Sequence, residues 1–534
     1  MKTRLFLINF VNIKKYSWFL LIMDIILTFL FLSMSYEVSS YVMDRDYLRR
    51  RSELFQEDSQ TQIGFNIKLS EKELKVNALL VALKKKELDL AFSTGRSLQE
   101  ANFVLAREKI KQSDVYRFIR KMPKGAVHHI HGMSMSSYAA MIKKWTYNDI
   151  CFVCYNQTLD ILKFKISNIK PNDIPNDTCQ WMLAAEARTN YTSSKEFDAM
   201  LLSFLTFQKN DILKLKNQDD LWKKFQNVFS TISGLVTYEE IFKDYFFSGL
   251  QELVEDNVQF VEVRALLPPL YFLNGTTTKG GEETLETYIK VANEFISEHS
   301  DHFFAAKYIY SVRRFLPKET IKQNVLDAID MVERYPNHLI GFDLVGQEDT
   351  GRSLFYYIDE LLIPKHLGKH LPYIFHAGET DWEGRSIDQN LFDAILLNTS
   401  RIGHGYAITK HPILRKYTKE KKVAIELCPI SNQILGLVSD LRDHPAADLL
   451  SDNQPITVSP DDPAIWQASG VSFDLYQVFM AMTPAHAGLQ VLKKLALNSI
   501  SYSSVNESEK YLLMEMWKRR WEVFLDDIIL EYRL

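Results

Sequence analysis

The chain has 534 residues, of which 46% are hydrophobic and 24% charged, enough to bury a large core in one big domain with appendages or in several ordinary ones. Its 63 Lys and Arg against 67 Asp and Glu give a formal charge of −4, so nothing in the charge balance calls for a nucleic-acid partner. A neutral or zwitterionic small molecule fits that balance better.

The first element is an apolar run, Tyr16 to Ser35, preceded by Lys14 and Lys15 and interrupted by Asp24. A basic flank, an apolar run and then small residues predict a secretory signal within residues 1–40. Asp24 argues against an uncleaved anchor, because a charge near the bilayer centre is expensive. A start at Met23 would leave a signal of compact size. Residues 41–121 follow, rich in charge and helix formers, with apolar residues at helical spacing in "EKELKVNALLVALKKKELDLAF" and "EANFVLAREKIKQSDVYRFIRKM". They predict a helical extension that either covers the main domain or serves as an oligomerisation arm.

The main domain is expected over 122–534, opening with "MPKGAVHHIHGMSMSS" and its His128, His129 and His131. Within it, 147–210 reads as an inserted small domain. Acceptor sequons for N-glycosylation stand at Asn156, Asn176, Asn190, Asn274, Asn398 and Asn506, and the first three crowd this insert. Cys151, Cys154 and Cys179 lie there too, with Cys428 far beyond. A bridge between Cys154 and Cys179 would suit an oxidising compartment. The rival reading is half a zinc cluster, from the CxxC spacing of Cys151 and Cys154, but the chain has no second CxxC.

Beyond the insert, short apolar runs alternate with amphipathic helical stretches. The runs are 258–265, 304–312, 338–346, 371–379, 401–405, 422–429 and 455–463, and helices are expected at 319–335 and 387–398. Such alternation predicts a parallel α/β fold, most simply a closed (β/α)8 barrel, with an open doubly wound sheet as the alternative. No GxGxxG follows the first strand, which weakens a dinucleotide fold.

Barrel chemistry sits at the C-terminal ends of the strands. His129 and His131, Gly346, His376 with Glu379, His404, and Asp461 with Asp462 all fall at such ends. One polar group of this kind is ordinarily a satisfied core residue; so many separate strand ends are not explained by packing. His129 and His131 share one strand face, because side chains alternate with period two, and His128 then faces away. With His376 and Asp461 they would make three His and one Asp around a divalent ion, a set suited to zinc-assisted hydrolysis. Glu379 is placed to move a proton, or else is a helix N-terminal acid. His404, between two glycines, is placed to help deprotonate water or hold an oxyanion. Asp462 and the backbone N–H of Gly346 are placed to hydrogen-bond a substrate ring.

"MPKGAVHHIH", "GFDLVGQEDTG", "FHAGETDWEG", "NTSRIGHGYA", "ELCPISNQ" with "LVSDLRDHPAA", and "SPDDPAIW" resemble the adenosine deaminase family, specifically its secreted, growth-factor-related branch. The motifs run in the family's order from Met122 to Trp466, and "ESEKYLLMEMWKRRWEVF" near the C-terminus resembles that branch as well. The resemblance implies a metal-dependent (β/α)8 barrel that replaces the 6-amino group of adenosine by water. It implies one Zn2+ per chain on His129, His131, His376 and Asp461, proton transfer to purine N1 by Glu379, assistance by His404, and ring binding by Asp462 and Gly346. It further implies a homodimer through the N-terminal helices, a Cys154–Cys179 disulfide, and Trp222 closing over the nucleoside. A secreted glycoprotein would follow, with a cell-surface receptor or glycan as a further partner.

Two departures fall on sugar recognition. The branch follows HxH with an aspartate where this chain has Gly132, and shows an acid and a histidine where this chain has Val312 and Arg313. Metal and proton-transfer positions are kept, so hydrolysis with weakened or retuned ribose contacts is expected. The alternatives are a secreted growth-factor-like ligand with vestigial catalysis, and an amidohydrolase acting on another amino-heterocycle.

Overall fold

The computed structural model describes residues 22–28, 45–172, 178–215 and 217–534. Most of the expected signal over 1–40, and the sequon at Asn176, lie outside the described residues. Among the described residues, no helix is long and apolar enough to cross a membrane. The chain divides into two compact units, Met1–Thr61 and Gln62–Leu534. In the first, helix Arg45–Ser59 has no buried residue and carries its own Arg49–Glu53 ion pair at i,i+4.

The second unit is built on eight parallel strands. β1 (Gly125–His131) is followed by β2 (Cys151–Asn156), β3 (Ile161–Ile166) and β4 (Met182–Leu183) of the insert. The barrel resumes with β5 (Val258–Ala265), β6 (Ala305–Arg313), β7 (Leu339–Val345) and β8 (Phe375–Ala377). β9 (Arg401–His404), β10 (Ala424–Leu427) and β11 (Ile456–Val458) complete it. They form two four-stranded sheets, in the orders β1-β5-β6-β7 and β11-β10-β9-β8. Single bridges join the sheets at both seams, Phe342 with Tyr373 and Ile130 with Asp461. The sheet is therefore a closed (β/α)8 barrel rather than an open one.

The strands read as apolar runs because both faces are covered: all eight residues of β5 and all seven of β7 are buried. The outer helices Lys318–Arg334 and Asn390–Leu396 fall close to where amphipathic spacing put them. The stretch from 100 to 122 forms two helices, Phe103–Ile110 and Asp114–Lys121, because Ser113 caps the second through its side chain. The insert is a small antiparallel sheet in the order β3-β2-β4. Cys154 and Cys179 form a disulfide beside it, with Phe152 and Trp181 in the same small core, while Cys151 and Cys428 are buried free thiols.

Candidate active site

β1 carries an irregularity in its pairing with β5 between Val127 and Ile130, where the backbone N–H groups of His128 and His129 both donate to Ser459 Oγ. A bulge of this kind re-aims side chains. It delivers the His129 and His131 rings to one cluster with His376 of β8 and His404 of β9. Ring centroids lie 4.4 Å apart for His129 and His376, 5.5 Å for His131 and His376, and 4.7 Å for His129 and His404. His128 is buried and lines neither the cluster nor the cavity above it.

Asp461 reaches this cluster from beyond β11. Its backbone N–H donates to the His129 carbonyl and its own carbonyl accepts from the His131 N–H, each at 3.0–3.1 Å. The price is a left-handed backbone, φ 60°, matched by φ 59° at His404. Non-glycine residues hold this conformation only where their surroundings impose it, and such positions concentrate at functional sites.

The outer nitrogens of two rings are fixed by buried carboxylates. His129 Nδ1 lies 2.9 Å from Glu426 Oε2, and His376 Nδ1 lies 2.6 Å from Asp343 Oδ2. Arg264 binds both carboxylates and so keeps them ionised in the barrel core, and Arg401 adds a second cation to Glu426. Each ring therefore carries its hydrogen on Nδ1 and offers the Nε2 lone pair inward. His129 Nε2 and Asp461 Oδ1 face one another at 3.3 Å, buried and without a hydrogen bond. Asp461 Oδ1 is also 3.1 Å from His131 Nε2. A lone pair opposite a buried carboxylate oxygen is unfavourable unless a cation joins them, and three imidazoles with one carboxylate are the donor set a zinc site uses. Of the four residues expected to hold a metal, His129, His376 and Asp461 bring donor atoms within 4.8 Å of one another and fit a divalent ion, while His131 groups instead with Asp461 and Asp462.

His404 also stands in this group, its donor atoms close enough to those of His129, His376 and Asp461 to share an ion. Its hydrogen bonding sets it apart. The Ala446 N–H donates to His444 Nδ1, so His444 donates from Nε2 to Asn432 Oδ1, and the Asn432 amide donates to His404 Nδ1. Burial lowers the His404 pKa well below the ordinary range, so the ring is neutral and carries its hydrogen on Nε2. It presents a donor to the site rather than a ligand lone pair.

Glu379 lies in the loop after β8, not at a helix N-terminus; the next helix begins at Asn390. Glu348 anchors the loop by accepting from the Gly378 and Glu379 N–H groups and the Asn390 amide. Burial raises the Glu379 pKa well above the ordinary carboxyl range, and Asp461 and Glu348 add to the effect. Its Oε1 is 3.6 Å from His404 Nδ1. Asp462, raised in the same direction by burial and by Asp461, accepts from Ser134 Oγ at one oxygen and leaves the other buried and unpartnered.

Above the cluster opens a cavity of about 980 Å³, its mouth included, lined on its floor by His131, His376, His404, Glu379, Asp461 and Asp462. Gly346 and Trp222 line it too, so every residue expected to bind substrate reaches one space. Gly346 has φ 109°, and an added Cβ would meet nothing closer than 3.9 Å, so glycine is required there for its backbone and not for room. Sequence reasoning missed Asp343, Glu426, Asn432 and His444. An acid inside the apolar runs "GFDLVG" and "VAIELC" was the available signal for the first two.

These features define a (β/α)8 barrel with a cation-ready cluster at its C-terminal face. An adenosine deaminase family model matches residues 203–519, and an adenosine/AMP deaminase N-terminal model matches 26–119. Adenosine deaminase 2 of Homo sapiens is 41% identical over 480 residues, covering 90% of this chain and 93% of its own. An adenosine deaminase of Phlebotomus duboscqi is 38% identical, covering 92% and 95% respectively. Among solved structures, Arabidopsis ADAL complexed with IMP superposes with TM-score 0.54 at 16% identity, over 76% of this chain and 99% of that one. An amidohydrolase from Burkhoderia ambifaria with bound Zn gives 0.53 at 14% identity, over 78% and 95%. The chain belongs to the adenosine deaminase family and is a hydrolytic deaminase.

Proposed function

We propose that this chain converts adenosine to inosine and ammonia outside the cell, with one zinc ion held by His129, His131, His376 and Asp461. The observation that carries the reading is the pair His129 Nε2 and Asp461 Oδ1, buried, without a hydrogen bond and 3.3 Å apart, at the base of a cavity whose floor also carries Glu379, its pKa raised by burial. Bound there, zinc supplies Lewis-acid activation of water at neutral pH.

The chain's own groups do the rest. Glu379 carries a proton at the cavity floor and delivers it to purine N1, drawing electrons from C6 as water adds. His404, fixed with its hydrogen on Nε2, holds the incoming oxygen in place. Asp462, kept protonated, donates from its free oxygen to a ring nitrogen, and the Gly346 N–H contacts the ring beside it. Trp222, on helix Gln218–Val236, packs over the ring and excludes water.

The 93% coverage of a relative named adenosine deaminase 2 supports the same substrate and, with the basic and apolar start of the chain, secretion. The helical region over 41–121 is read as a dimerisation element, with the deaminase barrel over 122–534 interrupted by the disulfide-bearing insert at 147–210. Metal analysis of the secreted protein, combined with an ultraviolet assay of adenosine conversion, tests the proposal. A metal-free active protein would overturn the zinc assignment, and a metal-loaded inactive one the substrate.

A further inference from the structure

The cavity is polar in two separate zones. All three carboxylates that line it, Glu379, Asp461 and Asp462, lie on the floor with the histidines. The outer wall carries Gly132, Gln226, Ser230 and Arg313 among aromatic side chains, and no acid. Gln226 and Ser230 are one helical turn apart on the helix that carries Trp222, at i,i+4, so they share a face.

Arg313, the last residue of β6, is exposed; its carbonyl accepts from the Leu316 N–H, but among the described residues its guanidinium has no hydrogen-bond or ion-pair partner. The contrast with its neighbours is clear. Arg264 also lines the cavity but is engaged by Asp343 and Glu426. Arg314 is buried, donating to the carbonyls of Leu344 and His376. Arg313 is thus the one cavity-lining cation among the described residues whose charge is not already matched.

Ribose hydroxyls are donors that ionised carboxylates hold well, and this wall offers none. Nor is there room for one just after β1: a Cβ on Gly132 would stand 2.5 Å from the Tyr288 hydroxyl. A guanidinium, an amide and a hydroxyl instead suit a group rich in acceptor oxygens, and the planar guanidinium matches a phosphate through paired N–H donors. We infer that the cavity accepts a 6-aminopurine nucleotide in preference to the bare nucleoside, with Arg313 meeting the phosphate. The preference rests on the deaminase reading for its turnover, but not for its binding.

The test compares adenosine and 5′-AMP on the metal-loaded full chain, as kcat/KM by ultraviolet absorbance and as Kd by calorimetry. The expected result is 5′-AMP favoured by about tenfold, the scale of one charge-assisted hydrogen-bonded contact. Arg313→Glu should reduce the AMP-to-adenosine ratio at least about tenfold, through KM more than kcat, and Arg313→Lys should restore part of it. Equal or weaker use of 5′-AMP, or a ratio that Arg313→Glu leaves unchanged, overturns the inference. If neither compound is deaminated but 5′-AMP binds more tightly through Arg313, the deaminase reading falls and this one stands. If neither binds, both fall.

Discussion

Asn432 donates its side-chain N–H to Nδ1 of His404 across 3.2 Å. His444 fixes the direction of that bond, because its Nδ1 is already taken by the Ala446 N–H and only its Nε2 is left to donate to Asn432. The amide therefore dictates which tautomer His404 shows to the cavity. Asn432→Asp puts an acceptor against Nδ1 and draws the ring hydrogen away from Nε2. We expect kcat to fall about tenfold to a hundredfold, the usual cost of losing an outer partner, with metal content unchanged. Steady-state kinetics paired with metal analysis checks this; full activity would show that the tautomer does not matter.

Asp343 accepts from both the backbone N–H and Nδ1 of His376, at 2.9 and 2.6 Å, while also binding Arg264. Asp343→Asn keeps the shape but removes the charge that orients the ring. Metal affinity is expected to drop about tenfold to a hundredfold, read by competition with a chelator. Chelation of the unaltered protein should abolish activity, and added zinc should restore it.

Much of this is legible in the amino-acid sequence. The barrel strands show as apolar runs because a sheet covered on both faces needs no polar alternation, and the residues proposed as ligands show because they punctuate those runs at one end. Where the expected strands are longer than the observed ones, as for Leu371 to Glu379 against the three residues of β8, the ends of the run are loop that turns into the site. Asp343 and Glu426 were hidden because they lie within the runs, and only closure of the barrel brings them to His376 and His129. The Asn432–His444 link is a tertiary contact with no local pattern to announce it. His404 is set apart from the expected ligands in the sequence by its two flanking glycines, but the hydrogen bond from Asn432 that fixes its tautomer is not visible there.

Gly403 sits where β9 passes closest to the cluster. A Cβ there would lie 3.0 Å from His129 Cε1, 3.2 Å from His129 Nδ1 and 3.3 Å from the His376 backbone. The His129 ring is held by Glu426 and cannot move aside without breaking that bond. Gly403→Ala should therefore weaken metal binding and activity together, at a stability cost of about 1–3 kcal/mol typical of overpacking. Thermal unfolding with and without zinc separates the two effects: the stabilisation that zinc gives should shrink in the variant.

Gly132 removes a side chain from the sugar wall, and the Tyr288 hydroxyl stands in the space an acid would need. Without that acid, discrimination between adenosine and 2′-deoxyadenosine should be small, with kcat/KM values within about tenfold, since one lost polar contact is worth about 1–3 kcal/mol. A strong preference for the ribonucleoside would show that another group reads the 2′-hydroxyl. Gly132→Asp alone is expected to destabilise the fold, because the added side chain must displace Tyr288.

Glu73 ties the helix Glu71–Thr94 to the C-terminal helices. Its carboxylate accepts from the Ser70 N–H in a capping box, from Lys493, and from the Trp521 indole at 2.8 Å. Burial works against its charge, but Lys493 together with the Ser70 and Trp521 donors holds its pKa below the ordinary value of 4.5. A carboxyl with a depressed native pKa binds fewer protons folded than unfolded as the pH falls past that value. Its stabilisation is therefore complete above about pH 4.5 and is lost as the pH drops through the native pKa. Glu73→Gln should lower stability at pH 7 by about 1–3 kcal/mol, the range for hydrogen bonds to a charged group. Denaturant unfolding at a series of pH values checks both parts: the gap between the two proteins should narrow below pH 4.5, and a gap of constant size would assign the effect to packing instead of charge.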